Sequence, residues 1–454
     1  MKILFAASEC APLAKVGGLA DVVGSLPRAL KKEGIDVQLV LPFYEIIKIK
    51  SDLAQKDIPL FFDGKEDRFD LYKTHLPRSK VPLYLVKHKS YFRGGVYLTE
   101  DASSEGGDME ATRFLFFSLA AVKTAKLVGA DIIHCHDWHV GIMPWLLKDL
   151  SFKTLFTIHN LAYQGLYVKD TVNRLLGANF SKDINCLEMG ILNANLINTV
   201  SENYAKEILT PQFGCGLEKS LQKRQKDLTG VLNGIDYEQF HPSSDNFIEK
   251  KYSKLSGKEE NKKALQRLCF KKEGELPLIG IISRLAEQKG FDLIKKVLPK
   301  LVRERLQIIL LGKGMKEYEA FFLREAKKHP EKLFVKIGFD EELAHKIYAG
   351  SDMFLMPSRF EPCGLGQMIA MKYGSLPIVR ATGGLKDTVL RGKTGFLFEN
   401  YNEKQMVSAI KDALEVFGTE KWKRMQKEAM KQDFSWKSSA QKYIKLYKKL
   451  LKIV

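Results

Sequence analysis

PSRFEPCGLGQMIAMKYG, residues 357–374, is the stretch from which the fold can be read. It follows Met353-Phe354-Leu355-Met356, a short apolar run that predicts a buried parallel strand. Pro357 and Ser358 end that strand, and Arg359, Phe360 and Glu361 fall at its carboxyl end. Cys363-Gly364-Leu365-Gly366 then opens a helix with Met368, Ile369 and Met371 on its apolar face. A strand, a glycine turn and a helix N-terminus leave several backbone N–H groups pointing outward, which suits an anion. A carboxylate three residues before that turn is costly beside an anion unless it acts on a polyol or a cation. The stretch therefore points to a phosphate-bearing sugar at a strand–helix junction. The plain alternative is an ordinary βα turn with a surface glutamate.

The chain has 454 residues, too many for one core, and suggests two or three domains. Its net charge of +18 favours anionic ligands, although a generally lysine-rich surface accounts for much of the excess. The six cysteines (10, 135, 186, 215, 269 and 363) include no C-x-x-C pair. That argues for a reducing compartment and against a disulfide framework or structural zinc. The apolar start Met1–Ala7 is cut short by Glu9 and Pro12, so it reads as a first strand rather than a leader. No stretch reaches the roughly 20 apolar residues of a membrane span. A cytoplasmic protein is expected.

Working outward, the chain opens with strand Lys2–Ala7, a loop, Gly17-Gly18 and an amphipathic helix with Leu19, Val22, Val23, Leu26 and Leu30 on one face. Strand Val37–Pro42 completes a βαβ unit. Lys15 before the glycines offers a point charge for a phosphate. Residues 43–110 read as less regular, with a strand at Pro82–Val86 and a mobile loop at Gly94–Gly107. Strand Asp131–His136 leads into Asp137-Trp138-His139, and strand Lys153–Thr157 into His159-Asn160. His134, His136, Asp137 and His139 lack a completing ligand cluster, so no metal is expected. Asn233-Gly234-Ile235-Asp236 is a turn sequence, and the polar segment 241–260 reads as a linker. A second alternation follows: strand Leu278–Ser283, helix Phe291–Val302, strand Gln307–Leu311, strand Leu333–Ile337, the opening stretch, and strand Leu376–Val379 before Thr382-Gly383-Gly384-Leu385. The tail 435–454 carries Tyr443, Leu446, Tyr447, Leu450 and Leu451 on one helical face, expected to pack on the body of the protein. Two βα arrays imply an α/β fold of two Rossmann-like lobes facing each other across a deep cleft. Polar strand-end residues would converge there. No D-x-D occurs, so cations and amides rather than a metal would stabilise a diphosphate leaving group.

Seven motifs run in a familiar order: Lys15–Val22, His136–His139, Thr157–Asn160, Val231–Asp236, Ser283-Arg284-Leu285 with Gln288-Lys289-Gly290, Pro357–Leu365, and Thr382–Leu385. On these the chain resembles the bacterial glycogen synthases and plant starch synthases, retaining glycosyltransferases of the GT-B fold. The resemblance implies an N-terminal acceptor lobe at 1–240, a linker at 241–260, a nucleotide-sugar lobe at 261–434, and a helix at 435–454 packing back on the first lobe. It implies glucose transfer from a nucleoside diphosphate glucose to the non-reducing end of an α-1,4-glucan with retention. ADP-glucose is favoured as donor and UDP-glucose stays open. No cofactor, nucleic acid or membrane partner is implied.

Carried over by motif, Lys15 and Gly18, with Gly17, would contact donor phosphate or acceptor near the reacting centre. Arg284 and Lys289 would hold the diphosphate, and Glu361 would bind glucose hydroxyls and support a cationic sugar transition state. Cys363, Gly364, Leu365 and Gly366 would hold sugar and phosphate through amides. His159, by main chain or ring, would sit against the reacting glucose. Asp21, Asp137, Asn160 and Asn233 are read as sugar or acceptor ligands, and Phe339 as the stacking partner of the nucleobase. Two positions depart from the family pattern: Gly366 stands where a threonine is common, and Ile369 where the wider retaining group has a second glutamate. Two rival readings stay open here, a phosphorylase-type enzyme on the same fold and a non-catalytic binder of polyanions or glucan.

Overall fold

The computed structural model describes residues 1–98 and 107–452. The chain forms two compact units, Met1–Gly234 with Trp436–Val454, and Ile235–Ser435. Each is a sheet covered by helices.

In the first unit the strands are β1 (Lys2–Ala6), β2 (Asp36–Pro42), β3 (Asp52–Phe62), β4 (Lys65–His75), β5 (Pro82–Lys87), β6 (Ile132–His136) and β7 (Lys153–Ile158). A short pair, β8 (Leu166–Tyr167) and β9 (Ile184–Asn185), stands apart, followed by β10 (Leu196–Thr199) and β11 (Leu228–Gly230). The main sheet runs β11-β10-β7-β6-β1-β2-β5-β4-β3. It is parallel from β11 through β5, and β4 and β3 are antiparallel additions. Strand order reverses beside β1, between β1 and β6. Strands β1 and β6 are buried on both faces, which is why they read as short apolar runs.

The strands β3 and β4 lie where the sequence suggested irregular chain. Most of β3 is exposed, and only its last residues alternate buried and exposed, so the period-two signal covers a small part of its length. The following loop is held by Arg113, buried, whose guanidinium donates to the carbonyls of Tyr91 (2.9 Å), Gly95 and Val96 (both 2.7 Å). Of the segment expected to be a mobile loop, residues 99–106 lie outside the described residues. The C-terminal helix Trp436–Leu451 buries Tyr443, Tyr447 and Leu450 and packs against the helix Gly18–Lys32 and β7.

The second unit carries β12 (Leu278–Ile282), β13 (Gln307–Gly312), β14 (Leu333–Ile337), β15 (Met353–Met356), β16 (Leu376–Arg380) and β17 (Phe396–Phe398). Their order, β14-β13-β12-β15-β16-β17, is parallel throughout and matches the dinucleotide-binding order with its switch point between β12 and β15. The helix Phe291–Leu301 buries Phe291, Ile294, Val297, Leu298 and Leu301, a stripe at helical spacing. That stripe covers a core containing Ile279, Ile281, Leu355 and Ile378.

Segment 241–260 is not a detached linker; it is built into this unit. Asp245, buried, accepts from the Tyr373 hydroxyl at 2.6 Å and lies 2.7 Å from His345 Nδ1. Tyr252 donates to the Tyr373 carbonyl at 2.8 Å. Its proline, serine and glycine content marks turns, and turns pack as well as they separate. Burial opposes the Asp245 charge, yet the bonds from His345 and Tyr373 hold its carboxyl below the ordinary value. A depressed carboxyl stabilises above its unfolded pKa, and that share is lost as pH falls through the folded value. We expect Asp245→Ala to cost about 3 kcal/mol at neutral pH, and less in acid, because it strips a buried ring and hydroxyl of their acceptor. Urea unfolding of the full chain checks this; an unchanged midpoint would mean that the segment is a free tether.

Candidate active site

Both switch points leave the carboxyl ends of neighbouring strands without a covering helix, and the polar motifs collect there. In the second unit Glu361 follows β15 and Lys289 lies beyond β12. Lys289 Nζ donates to both carboxylate oxygens of Glu361, at 2.7 and 2.9 Å, and the Ser358 hydroxyl donates to Glu361 Oε2 at 3.0 Å. The Glu361 side chain is 6% exposed and that of Lys289 21%, so the pair sits at a rim with the ammonium outward. Arg284 is exposed, and its guanidinium bonds Gln288 Oε1 at 3.2 Å.

The backbone around this pair is packed without slack. A Cβ on Gly384 would stand 2.2 Å from the Cys363 carbonyl oxygen, and one on Gly290 2.2 Å from that of Pro357. Gly384 N–H donates to the Glu361 carbonyl at 3.1 Å, so the Thr382–Leu385 motif positions the Glu361 backbone. Gln367 Nε2 donates to the carbonyls of Cys363 (3.2 Å) and Gly364 (2.9 Å), fixing the turn that leads into the helix Gly366–Lys372. The two departures have local reasons. A Cβ on Gly366 would meet the Phe354 ring at 3.0 Å, and Ile369 is buried, where a carboxylate would be desolvated. Phe339, 88% exposed, follows β14 on a loop whose Gly338 N–H donates to the Gly312 carbonyl at the end of β13.

In the first unit the loop Lys15–Gly18 closes on a residue that motif reading passed over. Glu9, buried at the end of β1, accepts from the amides of Val16 (2.7 Å) and Gly17 (2.9 Å). Burial pushes its carboxyl pKa up, against the pull of those two amides. Its only visible sequence signal is a carboxylate interrupting an apolar run. Lys15 Nζ pairs with Asp21 Oδ1 at 2.7 Å, and a Cβ on Gly17 or Gly18 would meet nothing within 4 Å.

Asp137 follows β6 with a positive φ of 62° and accepts from the His159 amide at 3.1 Å. Burial drives its carboxyl pKa up to about 8. His159 is held the other way, down to about 3 by burial, so its ring is neutral and is no proton donor of the imidazolium kind. Its Nε2 meets His136 Nδ1 at 3.0 Å. His139 bonds the Tyr97 hydroxyl at 2.7 Å, a second contact that the motifs did not reveal. Asn160 Oδ1 caps its own turn by accepting from Ala162 N–H, and Asn233, after β11, is buried. The histidines expected not to bind metal thus bond one another and hydroxyls. Among the described residues no cluster of three histidine, cysteine or carboxylate groups is placed to hold an ion.

Residues 2–223 match the family model described as the starch synthase catalytic domain, and residues 263–432 that of glycosyl transferases group 1. The glycogen synthase of Geotalea daltonii is 44% identical over 486 aligned residues, covering 99% of both chains; that of Kosmotoga olearia is 43% identical, covering 99% of this chain and 98% of its own. Among solved structures, the catalytic domain of Arabidopsis thaliana starch synthase IV bound to ADP and acarbose aligns with a TM-score of 0.89 at 33% identity, over 99% of each chain. The sucrose-phosphate synthase of Thermosynechococcus elongatus shares the fold at 18% identity and a TM-score of 0.65. The folds of both units and these likenesses define a glycosyltransferase of the GT-B class. Within that class the chain belongs to the glycogen synthase and starch synthase family. The reading as a non-catalytic binder is thereby set aside.

Two outcomes follow from this geometry. Gly384→Ala should lower kcat on the order of 10²-fold, because its methyl must displace the backbone that carries Glu361; steady-state assay of the folded variant checks it. Asp137→Asn keeps an acceptor for the His159 amide and removes an ionisation that burial opposes. A raised carboxyl pKa means that the folded state holds the proton longer than the unfolded one, so stability drains away as pH rises from about 4 toward 8. The variant should therefore gain stability over the parent at pH 8 and gain little at pH 5, while losing activity. Thermal melts at the two pH values read the difference.

Proposed function

We propose that the protein is a glycogen synthase, transferring glucose from ADP-glucose to the non-reducing end of an α-1,4-glucan with retention. The observation that carries the reading is the half-buried Lys289–Glu361 pair at the β12/β15 switch point, in a chain of this family. Lys289 and Arg284 bring two cations to where a diphosphate would lie. Their charge, with amides of the Cys363–Gly366 turn, stabilises the nucleoside diphosphate as it leaves. Glu361 accepts hydroxyls of the glucose and supports positive charge at its anomeric carbon.

Glu361 is poorly suited to be a nucleophile. An ammonium bonds both of its oxygens, and a hydroxyl also bonds one of them, so neither oxygen is free to attack. Front-face attack follows: the acceptor hydroxyl enters on the side from which the diphosphate departs and passes its proton to that leaving group. In the first unit, neutral His159 and the Asp137 carboxyl, its pKa raised to about 8, suit hydrogen bonds to sugar hydroxyls without a counter-charge. Lys15, Gly18, Asp21, Asn160 and Asn233 complete the sugar contacts. Glu9 already fills the Val16 and Gly17 amides, so Lys15 and the Gly18 amide are what that loop has left for the substrate. Phe339, bare on its loop, gives the adenine a face to stack on, worth about 1–3 kcal/mol. The free cysteines support a cytoplasmic setting. Among the described residues no helix is long and apolar enough to cross a membrane.

Glucosyl incorporation into glycogen from ADP-glucose and UDP-glucose, in parallel and without added metal, tests the proposal. Activity with ADP-glucose, abolished in Glu361→Ala, is expected, and Phe339→Ala should raise the donor KM by about tenfold or more with little change in kcat. A folded protein inactive with both donors would refute the substrate assignment. A trapped covalent glucosyl adduct on Glu361 would refute front-face attack.

A further inference from the structure

Beneath His159 lies a run of buried polar side chains that the mechanism does not use. His136, whose Nδ1 meets His159 Nε2, packs against Phe5 (ring centroids 4.9 Å apart) and His134 (4.1 Å), which also touch each other. His134 bonds the Tyr447 hydroxyl through Nδ1 at 2.8 Å and Thr157 Oγ1 through Nε2 at 2.5 Å. Thr157 donates to Asn198 Oδ1 at 2.5 Å, and Asn198 Nδ2 donates to the Tyr443 hydroxyl at 3.0 Å. His134, His136, Thr157, Asn198, Tyr443 and Tyr447 all have no exposed surface.

The directions of these bonds are fixed by their protons. Thr157 spends its one proton on Asn198, so it accepts from His134, which is therefore the Nε2–H tautomer. His134 Nδ1 must then accept from Tyr447. Both nitrogens are committed, and burial holds the His134 pKa well below the usual histidine value. The run starts on the C-terminal helix and reaches β7 at Thr157, two residues before His159. Burying six polar groups costs more than anchoring the helix with phenylalanines would, unless the groups have a further task.

We infer that Tyr447 and Tyr443 of the C-terminal helix are positioning residues for the transfer reaction, fixing the His134 ring through its two hydrogen bonds and, through the packing of His134 on His136 and the seat of Thr157 in β7, holding the His159 ring in one orientation. This rests on His159 serving the reacting glucose. The helix is thereby part of the catalytic apparatus as well as of the core.

The test uses the full chain with Tyr447→Phe, which deletes one oxygen, Tyr443→Phe, which removes only the far end of the run, and His159→Ala. For each, kcat and donor KM are measured at saturating glycogen, and histidine tautomers are read from ¹⁵N spectra of histidine-labelled protein. His159→Ala should abolish transfer. Tyr447→Phe should lower kcat about tenfold with donor KM within about twofold. In the parent, His134 should appear as Nε2–H; in Tyr447→Phe, His134 should become a mixture of tautomers and the His159 ¹⁵N shifts should move as the His136 ring it bonds is displaced. Tyr443→Phe should move the same readouts by less, and it decides the matter if Tyr447→Phe fails to fold. An unchanged kcat beside an inactive His159→Ala overturns the inference and leaves the reading of His159 intact. So does a lower kcat with His159 spectra unchanged, which would make the tyrosines merely structural. An active His159→Ala overturns both.

Discussion

A parallel sheet that reverses its strand order must leave two neighbouring strand ends uncovered, because the helices that follow them depart to opposite faces. The rest of this structure depends on that constraint. In the second unit it exposes the ends of β12 and β15, and the chain places Lys289 after one and Glu361 after the other. Neither position would be tolerable deeper in the sheet. An unpaired carboxylate so little exposed would be strongly disfavoured, and removing either partner alone costs about 3–5 kcal/mol for a pair of this kind. The pairing therefore holds the site together before any substrate arrives.

The two units handle polar burial in opposite ways. The second keeps its charges and pairs them. The first holds the buried groups at the ends of β6 and β7 toward their neutral forms: His159 and His139 are held down to about 3 and Asp137 up to about 8, each by desolvation. A neutral, hydrogen-bonding floor suits hydroxyl groups, which offer and accept single protons without a counter-charge. A pair of fixed cations beside a carboxylate suits a diphosphate and a developing oxocarbenium. This contrast, read in each unit taken alone, supports the proposed division of labour between glucan and nucleotide sugar.

Much of this was legible in the sequence, and the exceptions have physical causes. The parallel core strands and the glutamate stretch were readable because strands buried on both faces are short and apolar, and glycines punctuate them. Strands β3 and β4 were not, since strands with so much exposed surface carry charged residues that mask alternation. Segment 241–260 looked like a linker because turn composition says nothing of whether Asp245 and Tyr252 point inward. Glu361, Lys289 and Asp137 were found from motifs, whereas Glu9, Ser358, Gln367 and the tyrosines of the C-terminal helix were not. Glu9 meets backbone amides and the tyrosines meet partners far away in sequence, while Ser358 and Gln367 bond within four residues, and none of these contacts leaves a spacing signature.

Glu9 shows how such an unseen residue governs a visible motif. The glycines of Lys15–Gly18 suggest a loop open to any anion, yet a buried carboxylate of the protein already occupies two of its amides. A second anion there would face that charge at close range in a poorly screened setting. A hydroxyl would not, and Lys15, about half exposed and tied to Asp21, is free to swing between the carboxylate and a ligand oxygen. The loop is therefore rigid at its base, adjustable at its tip, and tuned away from phosphate in its middle. In the second unit a lysine supplies the charge that steadies the buried carboxylate; in the first, two amides do, and the positive charge at Lys15 is left for the substrate.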